Sequence, residues 1–194
     1  MKKIIVIYHS GYGHTEVIAK AVAEGANTDQ TESQLIKISP EGQITDEEWE
    51  ALDQADAIIM GAPTYMGTVS GPFKMWQDQT SKPWFARKWL DKIGGGFTTS
   101  SNMSGNKEST LKTIMVLAMQ QGMIWAGTGT IGNIGEDDMH RPNPENANRL
   151  GAYIGVMSQA GNADPKETPP AGDKKFGRQY GERIAKITTQ FKRG

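Results

Sequence analysis

The chain contains no cysteine, and this absence excludes several kinds of chemistry at once. Without thiols there is no disulfide, no redox dithiol, no thiolate nucleophile and no cysteine-ligated zinc or iron–sulfur site. Histidine is scarce as well, with three scattered residues in 194, so we expect no metal site. Any redox chemistry would therefore have to come from a bound organic cofactor.

A charge excess and long apolar runs are also missing. The 21 basic and 22 acidic side chains give a net charge of −1, so no strong field favours nucleic acid or an anionic membrane. No segment has the roughly 18 consecutive apolar residues of a membrane span. The apolar run that follows the N-terminal lysines, Ile4 to Tyr8, is too short for a signal peptide. We expect one cytoplasmic domain over residues 1–194, with neither a nucleic-acid nor a membrane partner.

Short, continuously apolar segments alternate with helical patterns along the chain. The apolar segments cover residues 4–8, 35–38, 57–60, 93–98 and 123–125, and the last resumes at 153–158. Such runs are typical of strands that are buried on both faces of a parallel sheet. Helical spacing marks residues 15–25, 111–121 and 174–191, and Thr45 to Glu48 form a capping box. The alternation predicts an α/β fold with helices on both faces of the sheet.

The turn after the first strand is suited to a phosphate group. It consists of Ser10, Gly11, Tyr12, Gly13, His14 and Thr15. Backbone N–H groups and the dipole of the following helix favour a phosphate dianion there, and the two glycines allow tight curvature. The turn has neither the Gly-Lys-Ser/Thr of a nucleotide P-loop nor the Rossmann GxGxxG. On its own, it could equally be an ordinary turn with a capping threonine.

Two further loops follow strands three and four, whose carboxyl ends border the expected ligand site. The uncharged segment 62–72 carries an aromatic and a thioether side chain that suit the flat face of an aromatic ligand, with candidate residues Pro63, Thr64, Tyr65, Met66 and Gly67. The next loop is rich in hydroxyl and amide groups that could surround the polar edge of a flavin or a sugar: Thr99, Ser100, Ser101, Asn102, Met103 and Ser104. Alone, these could be a packed turn and a surface loop. Together, the three loops favour a flavin.

These residues resemble the flavodoxin-like WrbA family of NAD(P)H:quinone oxidoreductases. The likeness covers roughly residues 3–127 and is carried by residues 8–14, 21–26, 56–64, 78–80 and Trp84, which occur in the family's order. Residues 148–159 are closer to the broader NADPH-dependent FMN reductases. The chain departs from the family pattern at Tyr65-Met66, where Arg-Phe is usual, and at Gln120-Gln121, where a histidine pair is usual. Its third loop also has less glycine.

The resemblance implies a flavodoxin-like, doubly wound sheet of five parallel strands in the order 2-1-3-4-5. It implies FMN in the three loops, with its phosphate at residues 10–15, its ring at 64–66 and the ring edge at 99–104. Tyr12 would help to hold NAD(P)H, and Trp84 would wall the substrate pocket from a neighbouring subunit of a homodimer or homotetramer. The implied activity is two-electron reduction of quinones by ping-pong kinetics, with no catalytic side chain.

Other interpretations stay open at this point. The chain could be an NAD(P)H-dependent FMN reductase, a flavodoxin-type electron carrier, or a regulatory protein that only binds flavin; the near-neutral charge disfavours a carrier that docks through an acidic surface. Trp84 could pack in a core instead. His140 beside Arg141 could be a surface pair or could contact a quinone or dinucleotide. Basic residues near Trp84 could be solvated or could attract the phosphates of NAD(P)H: Lys82, Arg87 and Lys88.

Overall fold

The structure is a computed structural model that describes residues 1–132 and 143–191. Its strands are β1 Lys2–Tyr8, β2 Thr31–Lys37, β3 Ala57–Tyr65, β4 Thr68–Val69, β5 Ile93–Ser100, β6 Ile124–Trp125 and β7 Val156–Gln159. Its helices are α1 His14–Ala26, α2 Asp46–Gln54, α3 Gly71–Gln79, α4 Ser81–Phe85, α5 Lys107–Gln120 and α6 Ala171–Gln190. Among these helices, none combines the length and the apolar character needed to cross a membrane.

The main strands form a parallel sheet in the order β2-β1-β3-β5-β6. This confirms the predicted order 2-1-3-4-5. The fifth position is shared by two short strands: β6 pairs with the start of β5, and β7 pairs with its end, from Phe97 to Ser100. The resumption of the strand after a long excursion, which the sequence suggested, is therefore present. It brings residues that follow β7 to the carboxyl edge of the sheet.

The prediction of a loop at residues 62–72 is wrong for residues 62–65, which belong to a strand. β3 continues to Tyr65 and then turns back into β4, which pairs antiparallel with it. The strand continues because Ala62 and Pro63 pair in register with Thr98 and Thr99 of β5. The sheet thus has seven strands rather than the predicted five, the additional two being β4 and the second half of the fifth position.

Successive β1 side chains point to opposite faces of the sheet and enter two separate cores. Ile4 and Val6 pack with α1 and α6. Ile5 and Ile7 pack in a second core that includes Trp76 of α3. Because both faces are covered, the inner strands are apolar at nearly every position. This double coverage leaves the strand ends as the accessible edges of the sheet.

Helices α1 and α6 touch through their backbones. A Cβ atom built at Gly25 would lie 1.9 Å from the carbonyl oxygen of Arg178, and one at Gly181 would lie 2.0 Å from that of Val22. No side chain fits at such distances, so both positions require glycine. The contact fixes α1, whose N-terminus begins at the first candidate loop.

Candidate functional site

A cavity of about 440 Å³ opens at the carboxyl ends of β1, β3 and β5. This is the edge at which doubly wound sheets bind ligands, and the volume is in the range of small-molecule and cofactor sites. Three stretches predicted from the sequence meet in its wall. The lining residues are Ser10, Tyr12, His14, Thr15, Pro63, Thr64, Tyr65, Thr99, Ser100, Ser101, Ala160, Gly161 and Asn162.

The first wall is the turn between β1 and α1. Ser10 and Thr15 are buried, and the Ser10 Oγ accepts a hydrogen bond from the N–H of Glu16 at 3.2 Å. The N-cap residue of α1, Gly13, has no side chain that could cap the helix. Within residues 1–132 and 143–191, the N–H groups of residues 12–15 have no hydrogen-bond acceptor. Unpaired amides at a helix N-terminus form a site for an anion.

The two glycines of this turn are required because Tyr65 and Pro165 pack closely against them. A Cβ atom at Gly11 would be 2.6 Å from the hydroxyl oxygen of Tyr65. Gly13 has a φ of 92°, and a Cβ there would be 2.9 Å from the ring of Pro165. His14 also shares a hydrogen bond with the carbonyl oxygen of Ala163, at 2.8 Å from its Nε2. The turn is therefore braced by the segment that follows β7.

A buried histidine, not singled out in the sequence, lies just before this turn. The Nδ1 of His9 is 2.8 Å from the hydroxyl of Ser70, which precedes α3. Burial lowers the pKa of His9, and the positive charge of Lys37 lowers it further. A neutral imidazole at this point ties the end of β1 to the start of α3. The strand pattern gave no sign of this contact, since Ser70 is 61 residues away along the chain.

The second wall is the end of β3. The Thr64 hydroxyl is buried and lies 2.9 Å from that of Thr98 and 2.8 Å from that of Thr110. Tyr65 faces Tyr12 edge to face, with 6.1 Å between ring centroids. Burial raises the pKa of Tyr65, Tyr12 adds to the rise, and a hydrogen bond from Gly11 opposes it. Tyr65 is therefore a neutral phenol at physiological pH.

Met66 and Gly67 stand at the tip of the β3–β4 hairpin and do not line this cavity. Both have positive φ angles, 46° for Met66 and 90° for Gly67. The Met66 side chain is fully exposed. A contact between these two residues and a ring in the cavity thus stays a prediction.

The third wall is the end of β5. Thr99 and Ser100 belong to the strand, and the Thr99 hydroxyl is 2.6 Å from that of Ser158. Ser101 completes the lining on this side. The predicted residues that follow, Asn102, Met103 and Ser104, do not line the cavity. Met103 and Ser104 line a neighbouring open groove on the α5 side of the loop.

The fourth wall was missed from the sequence. Ala160, Gly161 and Asn162 directly follow β7, beside the end of β5. Ligands bind at the carboxyl ends of the strands in such sheets. Applying this rule to the end of the resumed strand at residues 153–158, as well as to the first four strands, would have identified these residues. The N–H of Ala160 donates to the carbonyl oxygen of Ser100 at 3.1 Å, so this wall is attached to the third.

Trp84 does not reach the cavity within one chain. It lies on α4, is 40% exposed and packs against Phe85 with 4.7 Å between ring centroids. Gln121 is buried at the end of α5, where its Nε2 donates to the carbonyl oxygen of Thr80 at 3.0 Å. Gln120 is exposed. His140 and Arg141 lie outside the described residues.

The described part of the chain holds no group of three or more acidic or histidine side chains that could bind a metal ion. The polar groups that line the cavity are hydroxyls, amides, backbone N–H groups and the imidazole of His14, whose Nε2 shares a hydrogen bond with the carbonyl oxygen of Ala163. These can orient an anion and a planar polar ring, and they include no lysine, no arginine and no carboxylate. The arrangement therefore suits the binding of an anionic cofactor more than catalysis by a protein acid or base.

Comparison with known proteins agrees with this geometry. A sequence model of the NADPH-dependent FMN reductase family matches residues 3–134, more than half of the chain. The match does not reach residues 148–159, whose likeness to these reductases stays a prediction. Flavodoxin FldP of Pseudomonas aeruginosa is 40% identical over 191 residues, which are 98% of this chain and 99% of that protein.

Two further relatives extend over nearly the whole chain. An NAD(P)H dehydrogenase (quinone) of Rhizobium johnstonii is 32% identical over 204 residues, covering 96% of this chain and all of that protein. The crystal structure of a flavodoxin, WrbA-like protein from Agrobacterium tumefaciens has a TM-score of 0.79 at 41% identity, with 99% and 100% of the two chains covered. The predicted resemblance and the flavodoxin-like fold are thereby confirmed. The chain belongs to the NADPH-dependent FMN reductase family.

Proposed function

We propose that this chain is an FMN-dependent NAD(P)H oxidoreductase that reduces quinones by two electrons. One observation carries the proposal: a cavity of cofactor size at the carboxyl edge of the sheet is bordered by unpaired amides on one side and by aromatic and hydroxyl groups on the others. The chain binds FMN, as its family membership implies. Relatives named NAD(P)H dehydrogenase (quinone) support the choice of donor and acceptor.

The residues present fit FMN. Its phosphate would be held by the N–H groups of residues 12–15 and by the hydroxyls of Ser10 and Thr15, because these donors converge where the helix dipole is positive. The ring would lie between Tyr65 and the ends of β3 and β5, and its polar edge would face residues 99–101, which line the cavity, and would point towards the adjoining residues 102–104. Two-electron transfer from NAD(P)H to a quinone is the chemistry that FMN supplies when bound.

The protein's part in this proposal is orientation. The hydroxyls of Thr64, Thr98 and Thr110 form a buried network behind the second wall. Such a network, with each member paired, keeps β3 and β5 in one arrangement. Tyr12 is 76% exposed at the cavity mouth, where its ring can contact an incoming nicotinamide or quinone. Because both substrates would use this mouth in turn, the expected kinetics are ping-pong.

Assembly completes the proposed substrate pocket. Trp84 and Phe85 form an exposed aromatic pair on α4 and do not line the cavity of their own chain. A wall formed by Trp84 therefore requires a neighbouring subunit, so we propose a homodimer or homotetramer. Light scattering of the purified protein tests the proposed oligomeric state. Quinone reduction by a Trp84→Ala variant, compared with that of the wild-type protein, tests the role of Trp84 in the pocket. An active monomer would contradict both statements.

Anaerobic titration tests the proposed activity. The absorption band of protein-bound FMN should bleach on addition of NADH or NADPH and return on addition of benzoquinone. Initial rates at several concentrations of both substrates should give parallel lines in double-reciprocal plots. If neither NADH nor NADPH bleaches the band while FMN is bound, the proposed activity is wrong, and an electron carrier or a protein that only binds flavin remains.

Two alternatives are distinguished by simple measurements. The 40% identical relative named flavodoxin favours an electron carrier, which would not oxidise NAD(P)H steadily unless a separate reductase were added. The family name favours an FMN reductase, in which flavin is itself the substrate. In that case free reduced flavin would accumulate in the filtrate of an ultrafiltration cell during turnover, whereas a quinone reductase would retain its FMN.

A further inference from the structure

Lys107, the first residue of α5, is a buried lysine that the proposed reaction does not use. Its side chain is completely inaccessible to solvent. A buried ammonium group is costly unless hydrogen bonds and charges compensate it. The Nζ donates to the carbonyl oxygen of Asn102 and, at 2.6 Å, to that of Met103. Its partners are therefore two consecutive carbonyls of the third candidate loop.

These two bonds set the orientation of the loop backbone. The peptide bonds of this loop are trans, so each N–H points opposite to the carbonyl of the same peptide group. With the carbonyls of Asn102 and Met103 turned towards Lys107, the N–H groups of Met103 and Ser104 are turned away from it. Neither N–H has an acceptor within the described ranges. Lys107 thus holds two adjacent donors in one direction.

A second set of contacts holds the beginning of the same loop. The Nε2 of Gln159 donates to the carbonyl oxygen of Ser101 at 3.1 Å. Gln159 is itself fixed, since its N–H donates to the Asp173 carboxylate at 2.8 Å and its side-chain oxygen accepts from Arg149 at 3.2 Å. Arg149 and Asp173 form a buried ion pair. The loop is therefore anchored at its start by this group and at its middle by Lys107.

We propose that Lys107 is a positioning residue for FMN: through the carbonyls of Asn102 and Met103 it fixes the conformation of the loop at residues 101–104, and so the position of Ser101, the residue of this loop that lines the cavity and would meet the polar edge of the ring. This inference rests on the proposed function, because it assumes that the third loop borders FMN. Lys107 does not line the FMN cavity; it acts through the loop.

A second buried lysine provides a matched control. Lys92, at the opposite end of β5 just before the strand, is also fully buried, and its Nζ donates to the carbonyl oxygens of Leu52 and Asp53, each at 2.6 Å. Those carbonyls belong to the last turn of α2, at the amino edge of the sheet. The two lysines thus have similar burial and bonding, but only Lys107 is next to the candidate site.

The experiment compares Lys107→Met, Lys107→Arg and Lys92→Met with the wild-type protein. FMN dissociation constants are measured by the quenching of flavin fluorescence, and the midpoint potential of bound FMN by equilibration with a reference dye. Lys107→Met should raise the dissociation constant about tenfold, the scale for loss of charge-assisted hydrogen bonds, and make the potential more negative, because a nearby positive charge is lost. Lys107→Arg should recover at least part of the affinity. Lys92→Met should lower thermal stability and leave both FMN quantities unchanged.

The outcomes separate this inference from the proposed function. If the wild-type protein binds FMN but Lys107→Met binds it equally well at an unchanged potential, the positioning role is wrong and the proposed function is unaffected. If Lys92→Met weakens FMN binding as much as Lys107→Met, the effect is general destabilisation and the inference also fails. If wild-type protein with bound FMN is not reduced by NAD(P)H, the proposed function fails, while the affinity comparison still decides the role of Lys107.

Discussion

The burial of Lys107 predicts an unusual pH dependence of stability. Burial lowers the pKa of this lysine from 10.5 to about 8; the Asp173 carboxylate opposes the shift and the Arg149 guanidinium adds to it. Between these two values the unfolded chain holds a proton on Lys107 that the folded chain has released. Stability therefore rises with pH over this interval, opposite to the loss expected for a lysine held in a strong ion pair.

The magnitude follows from the shift. One pKa unit corresponds to about 1.4 kcal/mol, so a shift of this size contributes about 2 kcal/mol of additional unfolding free energy between about pH 6.5 and about pH 9.5. Below about pH 7 the contribution is constant, since both states are protonated. Other groups titrate over the same range, so the quantity to compare is the difference between proteins and not the slope of one.

Urea unfolding of the flavin-free protein, followed by far-ultraviolet circular dichroism, measures this difference. Lys107→Met should lack the rise, so that the wild-type protein gains about 2 kcal/mol relative to it between the two pH values. Lys112→Met is the control: this lysine lies on the same helix with its side chain 58% exposed, and its removal should leave the pH dependence of the wild-type protein. If wild type and Lys107→Met change in parallel with pH, the argument from burial is refuted.

Three further substitutions test the turn, the helix contact and a helix cap. Gly13→Ala forces alanine into a φ of 92° beside the unpaired amides and should raise the FMN dissociation constant, measured by fluorescence titration, at least tenfold. The control Gly151→Ala, at a φ of 67° with open space around it, should leave the dissociation constant unchanged. Equal effects of the two substitutions would contradict an anion site at the turn. Gly181→Ala should lower the unfolding free energy by about 2 kcal/mol or more in urea, whereas Gly71→Ala, with no neighbour within 4 Å of the added Cβ, should be neutral or raise it by about 0.5 kcal/mol. Thr45→Ala removes one half of the capping box of α2 and should cost about 1 kcal/mol in the same assay; an unchanged midpoint would show that the cap does not contribute.

The sequence pattern was sufficient to predict a parallel sheet because the inner strands are buried on both faces, whereas the order of the strands followed from the family resemblance. Continuous apolar runs such as 4–8 and 57–60 are too short for buried helices and too apolar for surface strands, so they fit the interior of a parallel sheet. The capping box of Thr45 and Glu48 was equally predictable, since both of its hydrogen bonds are local. The turn at residues 10–15 was recognisable for the same reason: the glycines and hydroxyls that form it are contiguous.

Features that depend on distant contacts could not be predicted. Pro63 and Thr64 are typical loop residues, and they extend β3 because Pro63 pairs with Thr99 of β5 and Thr64 pairs with Val69 of β4. Lysine is seldom fully buried, so nothing in the pattern around Lys107 distinguished it from an exposed first-turn residue. Its role becomes visible only when the carbonyls that it contacts are located.

The division of the fifth position into β6 and β7 has a consequence for the site. Because β7 runs along the second half of β5, the segment after it reaches the turn at residues 10–15, where Ala163 contacts His14 and Pro165 lies against Gly13. The proposed anion site is therefore built from two parts of the chain about 150 residues apart. It follows that FMN bound at the turn should stabilise the association of residues 160–165 with α1. Slower amide hydrogen exchange in residues 160–165 on FMN binding would be the signature of this coupling, and unchanged exchange there would mean that the turn is organised without them.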